Sequence, residues 1–123
     1  MGFFSGTRVE NPEQYIQDFL FPEETVECTY KLINDFVILT SKRVIFIDRS
    51  FLFLETIIRS IPYHKIDSIS VERNKKLFSV SSVVKITTWG REYKLKIRKG
   101  EDVMDFYNTL ARYVCEGVDS GVC

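Results

Sequence analysis

The sequence has few of the residues that mark metal-binding or disulfide-rich small proteins. It contains three cysteines at wide spacing (Cys28, Cys115 and Cys123) and one histidine, His64. No CxxC pair occurs and His64 has no second ligand near it, so we expect no metal site and reduced thiols. Glycine is also scarce, at 6 residues, and none forms a loop of the kind that cradles phosphate.

Long hydrophobic runs and net charge are also missing. No segment approaches the length of a membrane span and no basic-then-apolar leader is present, so we expect a cytoplasmic protein. Seventeen basic and seventeen acidic side chains cancel, which gives no reason to expect nucleic acid as a partner.

The 123 residues suffice for one domain, 1–123, with a core of its own. Aromatic residues make up 14%, a share that favours β structure.

Two helical patterns flank the middle of the chain. Residues 11–14 (Asn-Pro-Glu-Gln) are typical of a helix start, and Pro22 ends this short helix, expected at about 12–20. Acidic residues in the first turn and Gly117 as a stop bound a second helix at about 101–116. Its apolar face consists of Val103, Phe106, Leu110 and Val114.

Between the helices the apolar residues recur with a period of two, which predicts strands in a region of about 24–99. In the first strand, one face holds Val26, Cys28, Tyr30 and Leu32. The second and third strands are apolar nearly throughout, as expected of strands that are covered on both faces or lie in a barrel wall. Gly90 and Arg91 are the expected hairpin turn between the last two strands. The predicted strands are 25–32, 36–40, 43–48, 56–61, 66–72, 83–89 and 92–98.

The stretch Pro62-Tyr63-His64-Lys65 separates two strand patterns. Proline cannot donate to a β-ladder, so Pro62 predicts the end of one strand and a corner leading into a second sheet. We expect Tyr63, like Tyr30 and Tyr93, to be a packed ring with its hydroxyl satisfied. The predicted fold is mainly β (α+β): about seven strands in two near-orthogonal antiparallel sheets, capped by a C-terminal α-helix.

The order of these motifs resembles the bacterial pleckstrin-homology (PH) family over roughly Leu20 to Val114. The matching positions are Asp35, Thr40, Lys42, Arg43, Asp48, Pro62, Tyr63 and Glu72. The resemblance implies a PH-like barrel, and some members of the family are similar to one another in assembling into homo-oligomeric rings. Eukaryotic relatives bind inositol phosphates through a basic loop, but the turn at 32–35 is tight and acidic with only Lys31 nearby. We therefore do not expect that ligand.

Charge is distributed unevenly along the chain. Residues 1–29 hold six acids and one base, whereas residues 73–99 hold nine bases and one acid. Ends of opposite sign favour head-to-tail association, which makes a ring if it closes. Taken alone, the charge pattern favours a simpler interpretation, in which both regions are solvated outer faces of strands. A third interpretation is a face for anionic lipid, formed by Lys85, Arg91, Lys94, Lys96 and Arg98.

The run Phe51-Leu52-Phe53-Leu54 lies between two predicted strands, where four apolar residues seldom stay exposed. A subunit interface is the first interpretation, a strand that continues into the core the second, and shallow membrane insertion the third. For Trp89 two interpretations stay open: an exposed side chain that serves recognition, or a side chain that covers the edge of the core.

No pattern of catalytic residues emerges, since the paired acids have structural explanations and a lone His64 near Ser68 is weak evidence for a triad. We predict a non-enzymatic scaffold without a cofactor, whose partners are a second copy of itself and another protein. The alternative is a module that attaches peripherally to the inner face of an anionic membrane.

Overall fold

The computed structural model describes residues 12–49, 56–73 and 82–117. The predicted seven strands and C-terminal helix are confirmed in this part of the chain. The single N-terminal helix expected at 12–20 is instead a four-residue helix and a separate 3₁₀ turn. The elements are α1 Pro12–Tyr15, a 3₁₀ turn Gln17–Phe19, β1 Val26–Lys31, β2 Phe36–Thr40, β3 Arg43–Arg49, β4 Thr56–Pro62, a 3₁₀ turn Tyr63–Lys65, β5 Ser68–Arg73, β6 Ser82–Thr88, β7 Arg91–Ile97 and α2 Val103–Glu116.

The strands form two antiparallel sheets, ordered β1-β2-β3-β4 and β5-β6-β7. The corner at Pro62 separates the sheets, as predicted. On one side the sheets meet through an isolated bridge between Leu32 and Ile97, and the backbone amide of Arg98 donates to the Lys31 carbonyl at 3.1 Å. On the other side, β4 and β5 each pair with only one neighbour among the described strands.

The main core lies between the two sheets and α2. Phe106 and Leu110 of α2 are fully buried in it, so this helix closes one end of the barrel. Aromatic contacts join α2 to both the first sheet and the corner: Tyr30 and Phe106 lie 4.8 Å apart between ring centroids, and Tyr63 and Tyr113 lie 5.4 Å apart. The side chain of Asp102 caps the start of the helix by accepting from the Asp105 amide.

A second apolar cluster covers the outer face of the first sheet. Its buried members are Ile16, Phe36, Ile38 and Ile45, and partly buried Leu20, Val26, Ile47 and Ile58 pack against them. Every residue of β2 is consequently buried, which confirms the prediction that this strand is covered on both faces. The prediction that Val26 shares a face with Cys28 is wrong, because a register shift between them turns Val26 to the outer cluster.

The predicted position of the last hairpin turn is wrong by one residue. Thr88 pairs with Arg91, so the turn consists of Trp89 and Gly90, with φ of 52° and 79°. Positive φ at both central residues is typical of the type I′ hairpin turn, whose backbone twist matches that of the flanking strands. Gly90 takes the second position, where the absence of a Cβ makes positive φ inexpensive.

The expectation that all thiols are reduced is wrong for Cys28, which is disulfide-bonded, whereas Cys115 is free and exposed. The prediction rested on sequence spacing, which does not report distance in the fold. Among the described helices, none is long and apolar enough to cross a membrane.

Candidate functional site

Three of the predicted family-motif residues, Thr40, Arg43 and Tyr63, meet around a buried carboxylate. The Glu24 side chain is 0% exposed and forms a two-point ion pair with Arg43. Its Oε2 accepts from Arg43 Nε at 2.9 Å and from Thr40 Oγ1 at 2.6 Å. Its Oε1 accepts from Arg43 Nη2 at 2.9 Å and from the Phe21 amide at 3.0 Å. Burial on its own raises the pKa of Glu24, but these hydrogen bonds outweigh it and leave that pKa below the usual value.

The same network fastens the N-terminal segment to the β2–β3 turn. Arg43 Nη2 also donates to the Phe19 carbonyl at 2.7 Å, and the guanidinium lies 4.8 Å from the centre of the Phe21 ring. The Tyr63 hydroxyl donates to the Thr40 carbonyl at 2.7 Å, which confirms the prediction of a packed ring with a satisfied hydroxyl. Because most of these polar groups hydrogen-bond to one another, we assign the network to stabilising the fold rather than to binding a ligand.

The remaining motif residues are dispersed. Lys42 is exposed at the β2–β3 turn, and Asp48 pairs with Arg59 at 3.1 Å. Glu72 pairs with Lys85 at 2.6 Å. The backbone carbonyl of Asp35 accepts from the Leu32 amide. These positions therefore form no common site.

The five predicted anion-binding residues do not share one face. Lys94 and Lys96 are exposed on the outer face of the second sheet, and Arg98 follows on the same side. Lys85 lies directly opposite Lys94, but its ammonium is engaged by Glu72, and this contact raises the pKa of Lys85 and lowers that of Glu72. Arg91 lies on the opposite face of β7 from Lys94 and Lys96. Its guanidinium lies 5.3 Å from the centre of the Tyr93 ring.

Sequence reasoning missed two residues that join this outer face. The hydrogen bond from the Arg98 amide to the Lys31 carbonyl places Lys31 opposite Arg98, and the Ile33 amide donates to the Lys96 carbonyl at 2.9 Å. Residues directly opposite in antiparallel strands point the same way, so Lys31 and an Ile33 that is 48% exposed extend the row. No local signal in the sequence could have shown this, because the two strands are far apart in the chain.

The resulting basic face consists of Lys31, Lys94, Lys96 and Arg98. All four are exposed, and no ion pair is described for any of them in residues 12–49, 56–73 and 82–117. Two acids lie close to this face: Glu101 accepts from the Lys31 amide, and Glu72, which pairs with Lys85, also has its pKa lowered by the charge of Lys94. The face can therefore attract a polyanion.

The predicted interface segment, Phe51 to Leu54, lies outside the described residues. It leads into β4, which has a free edge among the described strands. Ile57, near the start of β4, is 38% exposed. Trp89 is not a cover for the core, since its side chain is 70% exposed. Within the described part of the chain, no group of three or more His, Cys, Asp or Glu residues could hold a metal ion.

Comparison with known proteins identifies the family of this chain. A family model described as "Bacterial PH domain" matches residues 1–114. Two proteins of Bacillus subtilis (strain 168) are similar to this chain. The uncharacterized protein YozO is 25% identical over 94% of this chain and 99% of its own length. The uncharacterized protein YjqA is 31% identical over 80% of this chain and 82% of its own length.

Two crystal structures share the fold. A pleckstrin homology domain from Shewanella amazonensis SB2B is 27% identical, with a TM-score of 0.70 over 85% of this chain and 96% of that one. A DUF1696 family protein with a pleckstrin-homology domain, from Shewanella loihica PV-4, is 24% identical, with a TM-score of 0.67 over 84% of this chain and 90% of that one. PH domains are generally interaction modules.

Proposed function

The chain belongs to the bacterial PH domain family, and from this premise we propose that it is a non-enzymatic interaction module that self-associates and binds a protein partner. The observation that carries the proposal is the free edge of β4 among the described strands. A strand edge presents unpaired amides and carbonyls that can pair with another chain. In the sequence, the apolar run Phe51 to Leu54 comes shortly before β4, and an apolar run next to such a strand favours association.

The distribution of charge on the surface also favours self-association. Glu13, Asp18 and Glu23 are exposed on the segment that leads into and covers the first sheet, while the basic face lies on the outside of the second sheet. Surfaces of opposite sign on one molecule attract those of a neighbouring copy. Closed head-to-tail contacts of this kind make rings.

The test is the solution mass, measured by light scattering during size exclusion at low and high salt. We expect a multiple of the 14.4 kDa chain at both salts, and a monomer from Phe51→Asp or Phe53→Asp. Asn108→Asp is the control, since it adds the same charge at an exposed position of α2, outside both β4 and the basic face. A wild-type monomer at every concentration and salt contradicts the proposal.

The second candidate function is peripheral attachment to anionic membrane through the basic face. It is favoured because none of the four cations forms an ion pair with another residue in the described part of the chain. Each Lys or Arg near an anionic surface contributes about 1 kcal/mol, and Ile33 supplies an apolar contact. We expect cosedimentation with phosphatidylserine vesicles at low salt that is lost when Lys94, Lys96 and Arg98 are all changed to Glu. Equal binding by a control with Lys42, Lys65 and Arg112 changed to Glu supports the site, whereas equal loss in both variants contradicts it.

A cytoplasmic location stays a prediction.

A further inference from the structure

Cys28 is a disulfide-bonded residue of the barrel interior. Its side chain belongs to the main core, and 4% of the residue's surface is exposed. In the first sheet it pairs with Leu39 of β2. A sulfur atom buried this deeply is out of reach for a thiol of a second molecule while the barrel is closed, so we expect its partner within the same chain.

Elimination leaves one partner for Cys28. The chain has three cysteines. Cys115, in the last turn of α2, is free and exposed. The remaining cysteine is Cys123, which lies outside the described residues, six positions beyond Gly117. Cys123 is therefore the one candidate that the sequence offers.

A short series of contacts connects the last turn of α2 with Cys28. Tyr113 packs against Tyr63, with 5.4 Å between the ring centroids. The Tyr63 hydroxyl donates to the carbonyl of Thr40 at 2.7 Å. Thr40 follows Leu39, which is the cross-strand partner of Cys28. The C-terminal end of the helix and Cys28 therefore belong to the same part of the barrel.

The chain beyond α2 starts from this same place. The Gly117 amide donates to the Tyr113 carbonyl at 3.0 Å, which keeps the end of the helix beside the Tyr113 ring. Six residues extend to at most about 20 Å. The segment from Gly117 to Cys123 is therefore long enough to return to the barrel beside β1.

A bond between these two cysteines closes a covalent loop around most of the fold. The loop begins in β1 and contains β2 to β7 and α2. Cross-links that close long loops restrict the unfolded chain most and so favour the folded one. The far end of the loop lies just beyond α2, so the bond also fastens the helix that closes the barrel. Without it, α2 is held by packing and by contacts such as the 2.7 Å hydrogen bond from the Tyr30 hydroxyl to Asp105.

We propose that Cys28 and Cys123 form a redox-sensitive lock on α2. In the oxidising direction, a small-molecule disulfide such as oxidised glutathione accepts two electrons from the two thiols. The bond between Cys28 and Cys123 forms, the bond of the small molecule breaks, and its two sulfurs leave as thiols that carry the two protons. A dithiol reverses the exchange and restores both thiols of the chain. The lock is independent of self-association, which uses neither cysteine.

Peptide mapping tests the pairing. The folded full-length chain is treated with oxidised glutathione, its free thiols are alkylated, and it is cleaved after glutamate. Cleavage places the three cysteines on the separate peptides 28–55, 102–116 and 117–123. We expect mass spectrometry to find 28–55 linked to 117–123. A Cys28 that is linked to Cys115, linked to a second molecule or left without a link overturns the pairing.

Thermal unfolding tests the lock. Oxidation should raise the midpoint of the wild type by at least about 5 °C, and dithiothreitol should reverse the rise. Cys123→Ser should unfold at the midpoint of the reduced wild type with or without oxidant. Cys115→Ser is the matched control and should respond to oxidation as the wild type does.

Hydrogen exchange reports on the helix itself. Amides in the last turn of α2 should exchange at least tenfold more slowly in the oxidised wild type than in the reduced one. An oxidised wild type with the midpoint and exchange rates of the reduced protein overturns the lock. A Cys123→Ser protein that responds to oxidant as the wild type does overturns it as well.

Discussion

The buried pair of Glu24 and Arg43 offers the sharpest test of what holds this fold together. Changing Glu24 to Ala removes the acceptor of four hydrogen bonds, two of them from the guanidinium. The Arg43 side chain, only 15% exposed, is left without its countercharge. Removing one member of a buried pair costs about 3–5 kcal/mol. We take the lower end, about 3 kcal/mol, because Phe19 and Ser60 still accept from Arg43.

For a domain of this size, about 3 kcal/mol lowers the midpoint of thermal unfolding by roughly 10 °C. Far-UV circular dichroism during heating, together with urea unfolding, measures the change. Glu23→Ala is the matched control, since it removes the same side chain one residue away at an exposed position and should stay within about 0.5 kcal/mol of the wild type. The double change Glu24→Leu with Arg43→Met should recover part of the loss, because an apolar pair leaves no buried charge behind. A Glu24→Ala protein as stable as Glu23→Ala would refute the reasoning.

Two further predictions concern the same network. Because the pKa of Glu24 is lower in the folded protein, its contribution to stability is present above the unfolded-state pKa of about 4.3 and is lost as pH falls through the folded value. The gap in unfolding free energy between wild type and Glu24→Gln should therefore narrow from pH 7 to pH 3, and a constant gap would argue against the assignment. Tyr63→Phe should cost about 1–2 kcal/mol, because it leaves the buried Thr40 carbonyl without its 2.7 Å donor. Tyr107→Phe, which removes a bond of only 3.5 Å, should cost less in the same urea titration, and equal losses would contradict this account.

Local patterns in the sequence predict most of this fold, since every strand has its own apolar period and its own turn. They fail where two distant segments decide the outcome. The bulge beside Val26 depends on the N-terminal cover that gives this side chain a second cluster to join. The last hairpin turn shifts because its register follows the pairing of Thr88 with Arg91.

The candidate surfaces were harder to predict than the fold. The basic residues of β7 follow from alternation alone, but Lys31 and Ile33 join them only through the contact between β1 and β7. In the sequence, Glu24 is an ordinary acid at a segment boundary, although its partner Arg43 is one of the predicted family-motif residues. The exposure of Trp89 depends on its position in the last hairpin turn, which the sequence pattern assigned to Gly90 and Arg91.

The position of α2 in the chain has a consequence for biosynthesis. Each sheet is a meander whose strands pair with their neighbours in sequence, so each can begin to form as its own residues leave the ribosome. The helix that closes the barrel follows all seven described strands. Tyr30 and Tyr63 nevertheless pack against aromatic rings of this helix. Until α2 emerges, a nascent chain exposes the inner faces of both sheets, and this interval is when it most needs a chaperone.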